Sequence, residues 1–499
     1  MTLKTIEKTQ SILLSDIEAF YGRNDIDKVI SLIDTYSNMT QLINNELYNE
    51  KIENIIVNVS KRIGFVPKKE IKDDSIIVFY DQIGSTVCLS EQYIDGILEL
   101  GYKLVYIYEN PYYNISEGLK NKLLQKDVEC YFFNSSSRYD QKKLILDIYS
   151  IVENSRCSKL IVQSPAYGAL SSIVLSGLSN VMRFRVVPGD HHFYIGVKST
   201  DYFFEFRPYG ITRAVSERNI SPDRIIKLPY YPIINFNCGF KGFPVEVGGK
   251  KIIVTAGDTY KFFGSDIFYD ICKRIATSED VIILYIGKYN KKLAHLVDQN
   301  GLGKRIVQIG YRSDFAHCIQ NCDMLLSSYP MIGGLISQMA ATMGKPIIAY
   351  AAKEEINNGR SFEDILGNNN GERKVTKSSL EELFSYANEL IRNHDFRKCE
   401  GEYIQSLVQT KEKFNEGLRD ALSNHKTNVM DDDFVTFVDK ESSVRTYIAI
   451  QNGLYPTFLQ PLFSHFGISV LWKFRNHILD FIKNPMMIGK YLYVRYFRM

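Results

Sequence analysis

The chain has 499 residues, of which 45% are hydrophobic and 23% charged, and these proportions are ordinary for a globular protein with more than one domain. The formal net charge is only +3, since 60 Lys and Arg nearly balance 57 Asp and Glu, which argues against a strongly basic nucleic-acid binder. The N-terminus is polar and no apolar run reaches the length of a membrane span, so we expect a cytoplasmic protein.

Residues 1-72 are predicted to form amphipathic helices, because apolar residues such as Leu13 and Ile17 recur there at spacings of three and four. Beyond them the pattern changes to short apolar runs separated by helical segments, beginning with the run Ile76 to Tyr80. Strands that alternate with helices predict a parallel, doubly wound sheet, here over residues 73-230.

The second half restarts the same alternation after a polar linker over 231-248. We expect a second doubly wound sheet over 249-425, which opens with the apolar run Lys251 to Thr255. In open parallel sheets, ligands bind beyond the carboxyl ends of the strands. The predicted fold is therefore α/β, with two Rossmann-like domains and a site in the cleft between them.

The last section, 426-499, is predicted to be a helical extension. Its acidic run Asp431 to Asp433 is interpreted as solvated charge, although it formally has the two-acid spacing by which some sugar transferases hold a metal. Residues 471-499 mix aromatic side chains with Lys and Arg and contain few acids. This composition leaves two arrangements open, contact with an anionic membrane surface or packing on the protein's own domains.

Residues 323-346 contain the strongest functional signal. Asp323 to Leu326 is a buried-strand run, Gly333 and Gly334 form a turn, and a helix is predicted over 335-343. The start of a helix presents unpaired N–H groups and the positive end of its dipole. We therefore expect a diphosphate to bind at this turn.

Two other turns of the second half are candidates for the same site. The turn from Ala256 to Lys261 supplies small residues and then a lysine that can neutralise a diphosphate, unless this lysine is merely solvated. In the turn from Gly310 to Asp314, Tyr311 is expected near a base and Arg312 is a candidate bidentate phosphate ligand. The alternative for the second turn is a structural loop that caps a helix.

A loop of the first half, 188-196, carries groups that can accept a proton. It contains Asp190, His191 and His192, and histidine titrates near neutral pH and bonds readily to hydroxyl groups. Zinc binding is less favoured, because third and fourth ligands do not follow at metal-site spacing. A structural loop is the alternative, and residues 201-205 are expected to complete the wall of the cleft.

The eight cysteines are scattered, and one close pair, Cys318 and Cys322, lies in a predicted helix. We interpret them as free thiols, and neither a metal nor a cofactor is predicted. A glycosylation sequon at Asn114 carries no weight in a chain without a secretion signal.

Together these motifs resemble a GT-B glycosyltransferase over roughly residues 75-400, and the second half is most similar to the O-GlcNAc transferase-like and HMW1C-like group. The residues that carry the resemblance are Tyr260, Lys261, His317, Asp323, Pro330, Gly333, Gly334 and Gly344 to Pro346. The chain departs from the pattern at Met339, where the family has a ribose-binding acid, and Gln338 is the candidate substitute. The turn also lacks the family's hydroxyl residues, with Ser337 one position later.

The resemblance implies transfer of a sugar from a nucleotide diphosphate sugar, with a UDP-sugar favoured, to a hydroxyl of a glycan, lipid-linked or protein acceptor without a metal. It implies these donor-binding residues: Gly257, Tyr260, Lys261, Gly287, Tyr311, Arg312, Pro330, Gly333, Gly334, Ser337 and Gln338. If the reaction inverts configuration, the base would be His191, His192 or Asp190. Such an enzyme suits capsule, O-antigen or related glycan assembly at the inner face of a bacterial cytoplasmic membrane.

Two alternatives remain open. An epimerase of the same fold that acts on a nucleotide sugar would typically need acids that flank the cleft in both domains. A non-catalytic GT-B subunit that binds a partner transferase would fit Met339 and the missing turn hydroxyls.

Overall fold

The computed structural model describes residues 1-477 apart from positions 69, 85-88, 111-114, 136-139, 188, 237, 279, 358, 368-372, 436-438 and 454-456. Asn114, Pro188 and the part of the tail beyond position 477 therefore lie outside the described residues.

The first sheet is built from seven parallel strands within the described residues. They are β1 (Asp73–Asp81), β2 (Lys103–Glu109), β3 (Glu129–Phe133), β4 (Cys157–Gln163), β5 (Met182–Val186), β6 (Tyr202–Glu205) and β7 (Ile225–Lys227). Their spatial order is β3-β2-β1-β4-β5-β6-β7. The last six residues of the central β1 are buried, as expected for a strand covered on both faces.

The parallel arrangement gathers polar residues at one edge of this sheet. Strand β1 lies between β2 and β4, and Val78 of β1 pairs with Val105 of β2 and with Leu160 of β4. The strands end in polar residues, which are Asp81, Glu109, Gln163 and Glu205. This carboxyl edge is where the fold predicts a ligand.

The helices of the first half lie on both faces of the first sheet and include the predicted N-terminal helices. They are α1 (Leu3–Gly22), α2 (Ile26–Thr40), α3 (Glu50–Ile63), α4 (Leu89–Glu99), α5 (Glu117–Gln125), α6 (Gln141–Ser155), α7 (Ala169–Gly177) and α8 (Pro208–Arg218). Asp34 of α2 accepts a hydrogen bond from the Ala169 N–H at 3.0 Å, at the start of α7. Glu53 of α3 accepts from the N–H groups of Gly196 and Lys198. The N-terminal helices are thus an integral layer of the first domain.

The second sheet confirms the restart of the pattern, with six parallel strands within the described residues. They are β8 (Lys251–Ala256), β9 (Val281–Ile286), β10 (Ile306–Gly310), β11 (Met324–Leu326), β12 (Ile347–Tyr350) and β13 (Thr376–Lys377). Their spatial order is β10-β9-β8-β11-β12-β13.

The helices around the second sheet follow the predicted alternation. They are α9 (Ile267–Ile275), α10 (Lys291–Gln299), α11 (Phe315–Gln320), α12 (Gly334–Thr342), α13 (Lys353–Asn357), α14 (Phe362–Ile365), α15 (Leu380–Arg392) and α16 (His394–Leu407). The strands β6, β7 and β13 were not predicted as strands, because two to four residues carry too little periodicity.

The chain then returns to the first domain through α17 (Lys411–Asn424), α18 (Lys440–Gly453), α19 (Gln460–Phe466) and α20 (Val470–Lys473). Helix α17, which the sequence places in the second domain, packs on α4, where the Phe414 ring meets Tyr93 edge-on at 5.2 Å. Asp433 also holds this part of the chain at the first domain, because it is buried and ion-paired with Lys227. The prediction that the acidic run is solvated charge is therefore wrong for Asp433.

The described part of the tail packs on the N-terminal helices. Helix α19 lies against α2, and the buried His477 ring is hydrogen-bonded to the Thr9 hydroxyl at 2.8 Å. Across the described residues, no helix combines the length and the apolar character that a membrane crossing requires.

Candidate active site

Two turns at the carboxyl edge of the second sheet bring a lysine and two glycines together. Lys261 lies in a 3-10 turn, Thr259–Phe262, shortly after β8. Its ammonium nitrogen is 3.4 Å from the point where a side chain on Gly333 would begin. Its carbonyl oxygen accepts a hydrogen bond from the Met331 N–H at 3.2 Å. Lys261 therefore faces the glycine turn that opens α12.

The start of α12 is open to an anion. Gly333 is the N-cap residue, and no side chain caps the first turn, which begins at Gly334. Burial lowers the pKa of Lys261, although the charge of Asp258 opposes this effect. A half-buried ammonium group beside an uncapped helix start gives an anion both a counter-charge and N–H donors.

Gly257 and Gly287 are required by backbone geometry at this edge. Their φ angles are 154° and 149°, a region that side chains disfavour. A Cβ atom on Gly287 would lie 2.9 Å from the Gly257 carbonyl oxygen. The two glycines follow β8 and β9, as the sequence indicates, and they let these backbones approach closely.

In the turn from Gly310 to Asp314, the structure leaves Tyr311 accessible for its predicted contact and argues against the contact predicted for Arg312. Tyr311 is 73% exposed, and its hydroxyl lies 3.4 Å from Asp258 Oδ1, so its ring is accessible beside the Lys261 turn. Arg312 instead donates to both carboxylate oxygens of Asp314, at 2.8 and 2.7 Å, and to the Gly242 carbonyl at 2.7 Å. This pairing argues against the predicted bidentate contact between Arg312 and a phosphate.

Two predicted residues of α12 are buried in its packing face. Ser337 and Gln338 are 1% and 2% exposed, and Gln338 Nε2 donates to the Ile365 carbonyl at 3.4 Å. Met339, at the position of the expected acid, packs against the second-domain core. The geometry argues against Ser337 and Gln338 as donor contacts, whereas Pro330 lies in the turn ahead of α12.

Across the cleft, the first domain presents the predicted proton-accepting loop. Asp190 is 1% exposed, and its Oδ1 is 3.2 Å from His191 Nδ1. The His191 side chain is 38% exposed, and its ring lies 3.9 Å from that of His192, centroid to centroid. Burial, together with the neighbouring charge of His191, lowers the pKa of His192. His191 is thus a partly exposed histidine with a carboxylate partner.

Arg207 joins this loop to the second domain. Its Nη2 donates to Asp190 Oδ1 at 2.8 Å, and its Nε donates to Asp190 Oδ2. Its Nη1 donates to Asp364 Oδ2 at 3.1 Å and to the Gly359 carbonyl at 3.4 Å, both in the second domain. A carboxylate from each domain thus meets a single buried guanidinium.

Arg207 lowers the pKa of three buried acids around it, but only the pKa of Asp190 ends below its usual value. Burial by itself would raise the pKa of Asp190, but the charge and hydrogen bonds of Arg207 hold that pKa far below its usual range. Burial raises the pKa of Asp364 to about 6 and that of Glu205 to about 8, with Arg207 opposing both shifts. Neither carboxylate oxygen of Glu205 has a hydrogen-bond partner among the described residues.

Several residues of this site were not found from the sequence. They are Arg207, Tyr230 and Asp364. The Tyr230 hydroxyl lies 3.7 Å from the point where a side chain on Gly334 would begin, so the first domain reaches the start of α12. These residues come from separate elements and share no local motif, so no sequence signal links them.

The structure is similar to solved glycosyltransferases at low sequence identity. A glycosyltransferase from Rickettsia africae is 15% identical with a TM-score of 0.50, over 70% of this chain and 97% of that chain. HepE of Anabaena, in complex with UDP and glucose, is 14% identical with a TM-score of 0.51, over 70% and 99%. An O-GlcNAc transferase from Thermobaculum terrenum is 13% identical with a TM-score of 0.50, over 87% and 83%.

The chain has the GT-B fold. No protein-family model matches it, and no curated protein matches its sequence. The two sheets are the two Rossmann-like domains of the GT-B fold, and the contacts of Arg207 and Tyr230 place their carboxyl edges face to face. The predicted fold class is confirmed.

The pKa of Asp364 predicts a pH-dependent stability of this GT-B cleft. A carboxyl whose pKa is raised from 3.8 to about 6 contributes stability that is fully present below pH 3.8 and is lost as pH rises through 6. Asp364→Asn removes this titration, so the free energy of unfolding of the variant minus that of the wild type should increase by about 2–3 kcal/mol between pH 4 and pH 7.

Urea unfolding across this pH range measures the difference, with Asp432→Asn, an exposed acid, as the matched control. The control should keep a constant difference from the wild type. A constant difference for Asp364→Asn would show that Asp364 titrates as an ordinary carboxyl.

Proposed function

We propose that this protein is a glycosyltransferase that moves a sugar from a nucleotide diphosphate sugar, preferably a UDP-sugar, to an acceptor hydroxyl. The observation that carries the proposal is that two groups of polar residues face each other across one cleft. An uncapped helix start with Lys261 lies on one wall, and the Asp190 and His191 pair lies on the other. Sugar transfer with inversion of configuration uses both, since it releases a diphosphate on one side and removes a proton from the acceptor on the other.

The leaving diphosphate is assigned to the second domain. As the bond between the sugar and the diphosphate of the donor breaks, negative charge develops on the diphosphate oxygens. Lys261 and the first N–H groups of α12 stabilise this charge. Gly333 and Gly334 leave room for this approach because neither carries a side chain. Tyr311 is the accessible ring on which the nucleobase would stack.

The base is assigned to His191. The Nδ1 atom of His191 is bonded to Asp190. The other ring nitrogen, Nε2, accepts the proton of the acceptor hydroxyl as the acceptor oxygen attacks the sugar. Asp190 is kept ionised by Arg207 and stabilises the imidazolium that forms. His192, whose pKa is lowered, stays neutral and packs against this ring.

The choice of UDP is supported by the similar structures. HepE of Anabaena is described in complex with UDP and glucose, and the Thermobaculum terrenum protein is an O-GlcNAc transferase. The buried packing of Ser337 and Gln338 leaves the ribose contact without an assigned residue in α12.

Replacement of Lys261 tests the diphosphate site. Lys261→Ala should weaken UDP binding by about 10- to 100-fold, the equivalent of one or two charge-assisted hydrogen bonds. Isothermal titration of UDP measures the change, and Lys304→Ala, an exposed lysine at the opposite edge of the sheet, should bind UDP as the wild type does. An unchanged affinity in Lys261→Ala would remove Lys261 from the site.

Replacement of His191 tests the base. His191→Ala should lower kcat for sugar transfer by about 10²- to 10⁴-fold while it leaves UDP affinity unchanged, because the base acts on the acceptor and not on the donor. The matched control is His394→Ala, a histidine that is 76% exposed on the second domain. Full transfer activity in His191→Ala would refute the assignment.

The epimerase alternative has one observation in its favour. Asp190 and Asp364 place an acid in each domain, but Arg207 binds both and leaves neither free for proton transfer. Incubation with UDP-sugars without an acceptor separates the two functions, since only an epimerase would produce a new UDP-sugar. A protein that binds UDP but neither transfers nor epimerises any sugar would be the non-catalytic subunit.

The acceptor is proposed to be a glycan, lipid-linked or protein hydroxyl in bacterial capsule, O-antigen or related glycan assembly, with the protein peripheral at the inner membrane face. The described part of the tail supports a membrane contact at one point. Trp472 is 86% exposed and Ile468 is 58% exposed, four positions apart. Phe474 and His477 are buried, so a truncation that tests the tail has to keep them.

Flotation with anionic vesicles tests this contact. Full-length protein should float, while a chain truncated after His477 and carrying Trp472→Ala should float several-fold less, because both the basic aromatic segment and the exposed ring are lost. Neutral vesicles are the lipid control. Equal flotation of the two chains on anionic vesicles would remove the membrane proposal.

A further inference from the structure

Helix α18 (Lys440–Gly453) lies across the cleft and contacts both domains. On one side, Val444 and Ile448 pack into the core beneath the N-terminal helices of the first domain. On the other side, the Ser443 hydroxyl accepts a hydrogen bond from Arg360 Nη2 of the second domain at 3.1 Å. The helix therefore spans the gap that the two sheets leave between them.

The end of α18 reaches the turn that carries Lys261. A Cβ atom on Gly453 would lie 2.5 Å from the ring of Phe263, the residue that ends this turn. Glycine at this position thus lets the helix seat directly on the ring. The contact ties α18 to the donor side of the cleft as well as to the acceptor side.

Between these two contacts, α18 turns a tyrosine toward the proposed base. Tyr447 lies one helical turn after Ser443, and its ring is parallel to that of His191 within 7°, with centroids 6.4 Å apart. Its ring is also 6.5 Å from that of His192. Burial raises the pKa of Tyr447, and the charges of Arg360 and Arg213 oppose this shift.

We propose that α18 is part of the active site and that Tyr447 is a positioning residue for His191. This inference rests on the proposed function. The bond from His191 Nδ1 to Asp190 sets the direction of the imidazole, and a parallel aromatic neighbour further limits how far the ring can tilt from it. This restriction keeps the second ring nitrogen oriented toward the acceptor hydroxyl. A small change in that orientation lowers the rate of transfer substantially.

The geometry also explains why the ring comes from the far end of the chain. His192 of the same loop lies against the His191 ring, and the His191 side chain is still 38% exposed. Helix α18 brings the Tyr447 ring beside it, because contacts of Ser443 and Gly453 hold the helix at the second domain. Cleft closure and alignment of the base are thus supported by the same helix.

Substitutions at Tyr447 test the proposal. Tyr447→Phe retains the ring and should keep kcat within about 3-fold, whereas Tyr447→Leu, which fills much of the space without a planar ring, should lower kcat roughly 10- to 100-fold. UDP affinity should stay unchanged in both variants, because the tyrosine acts on the base. The control is Arg445→Ala on the exposed face of α18, where the side chain is 73% exposed.

A second measurement does not depend on sugar transfer. Diethyl pyrocarbonate acylates accessible imidazole nitrogens, and fragment ions that separate His191 from the adjacent His192 in tandem mass spectrometry give the rate at His191. We expect several-fold faster acylation in Tyr447→Leu than in the wild type and an unchanged rate in Arg445→Ala.

The outcomes separate the two proposals. Wild-type acylation and wild-type kcat in a folded Tyr447→Leu variant would overturn the role of Tyr447 and leave the glycosyltransferase proposal standing. Loss of kcat in Tyr447→Phe equal to that in Tyr447→Leu would overturn the role of the ring. A wild type that binds no nucleotide sugar would refute the proposed function, while the acylation rates would still report whether Tyr447 restrains His191.

Discussion

The cleft depends on the buried guanidinium of Arg207, which binds Asp190 in its own domain and Asp364 in the other. The guanidinium attracts both carboxylates, and it can bind Asp364 only when the two domains are together. The same interaction keeps Asp190 ionised beside His191. One ion-pair network thus fixes the relative position of the domains and the electrostatics of the proposed base.

The two walls of the cleft use different physical means to handle charge. The second domain offers an uncapped helix start and a lysine whose pKa is lowered by burial, which together favour an anion. The first domain offers a partly exposed histidine backed by a carboxylate, which favours proton transfer. Helix α18 contacts both walls and brings the Tyr447 ring beside the histidine.

Much of the fold was predictable because buried parallel strands are read directly as apolar runs between helices. The runs at β1 and β8 are examples, and the restart after the linker indicated two domains. Strands as short as β7 and β13 were missed, because their pairing depends on neighbours and not on their own composition. The return of α17 to the first domain was likewise invisible, since an amphipathic helix does not specify its partner.

For the site, the sequence by itself determined the features that are local: Lys261, the glycine turn at Gly333 and the loop of Asp190 and His191. A turn and the helix that follows it are encoded by adjacent residues, so their chemistry is visible in the chain. The tertiary structure alone decided that Arg312 pairs with Asp314 and that Gln338 is buried. It also decided that Arg207 binds both Asp190 and Asp364 and that the Tyr447 ring lies beside His191, because only packing brings side chains from distant elements within hydrogen-bond and stacking distance.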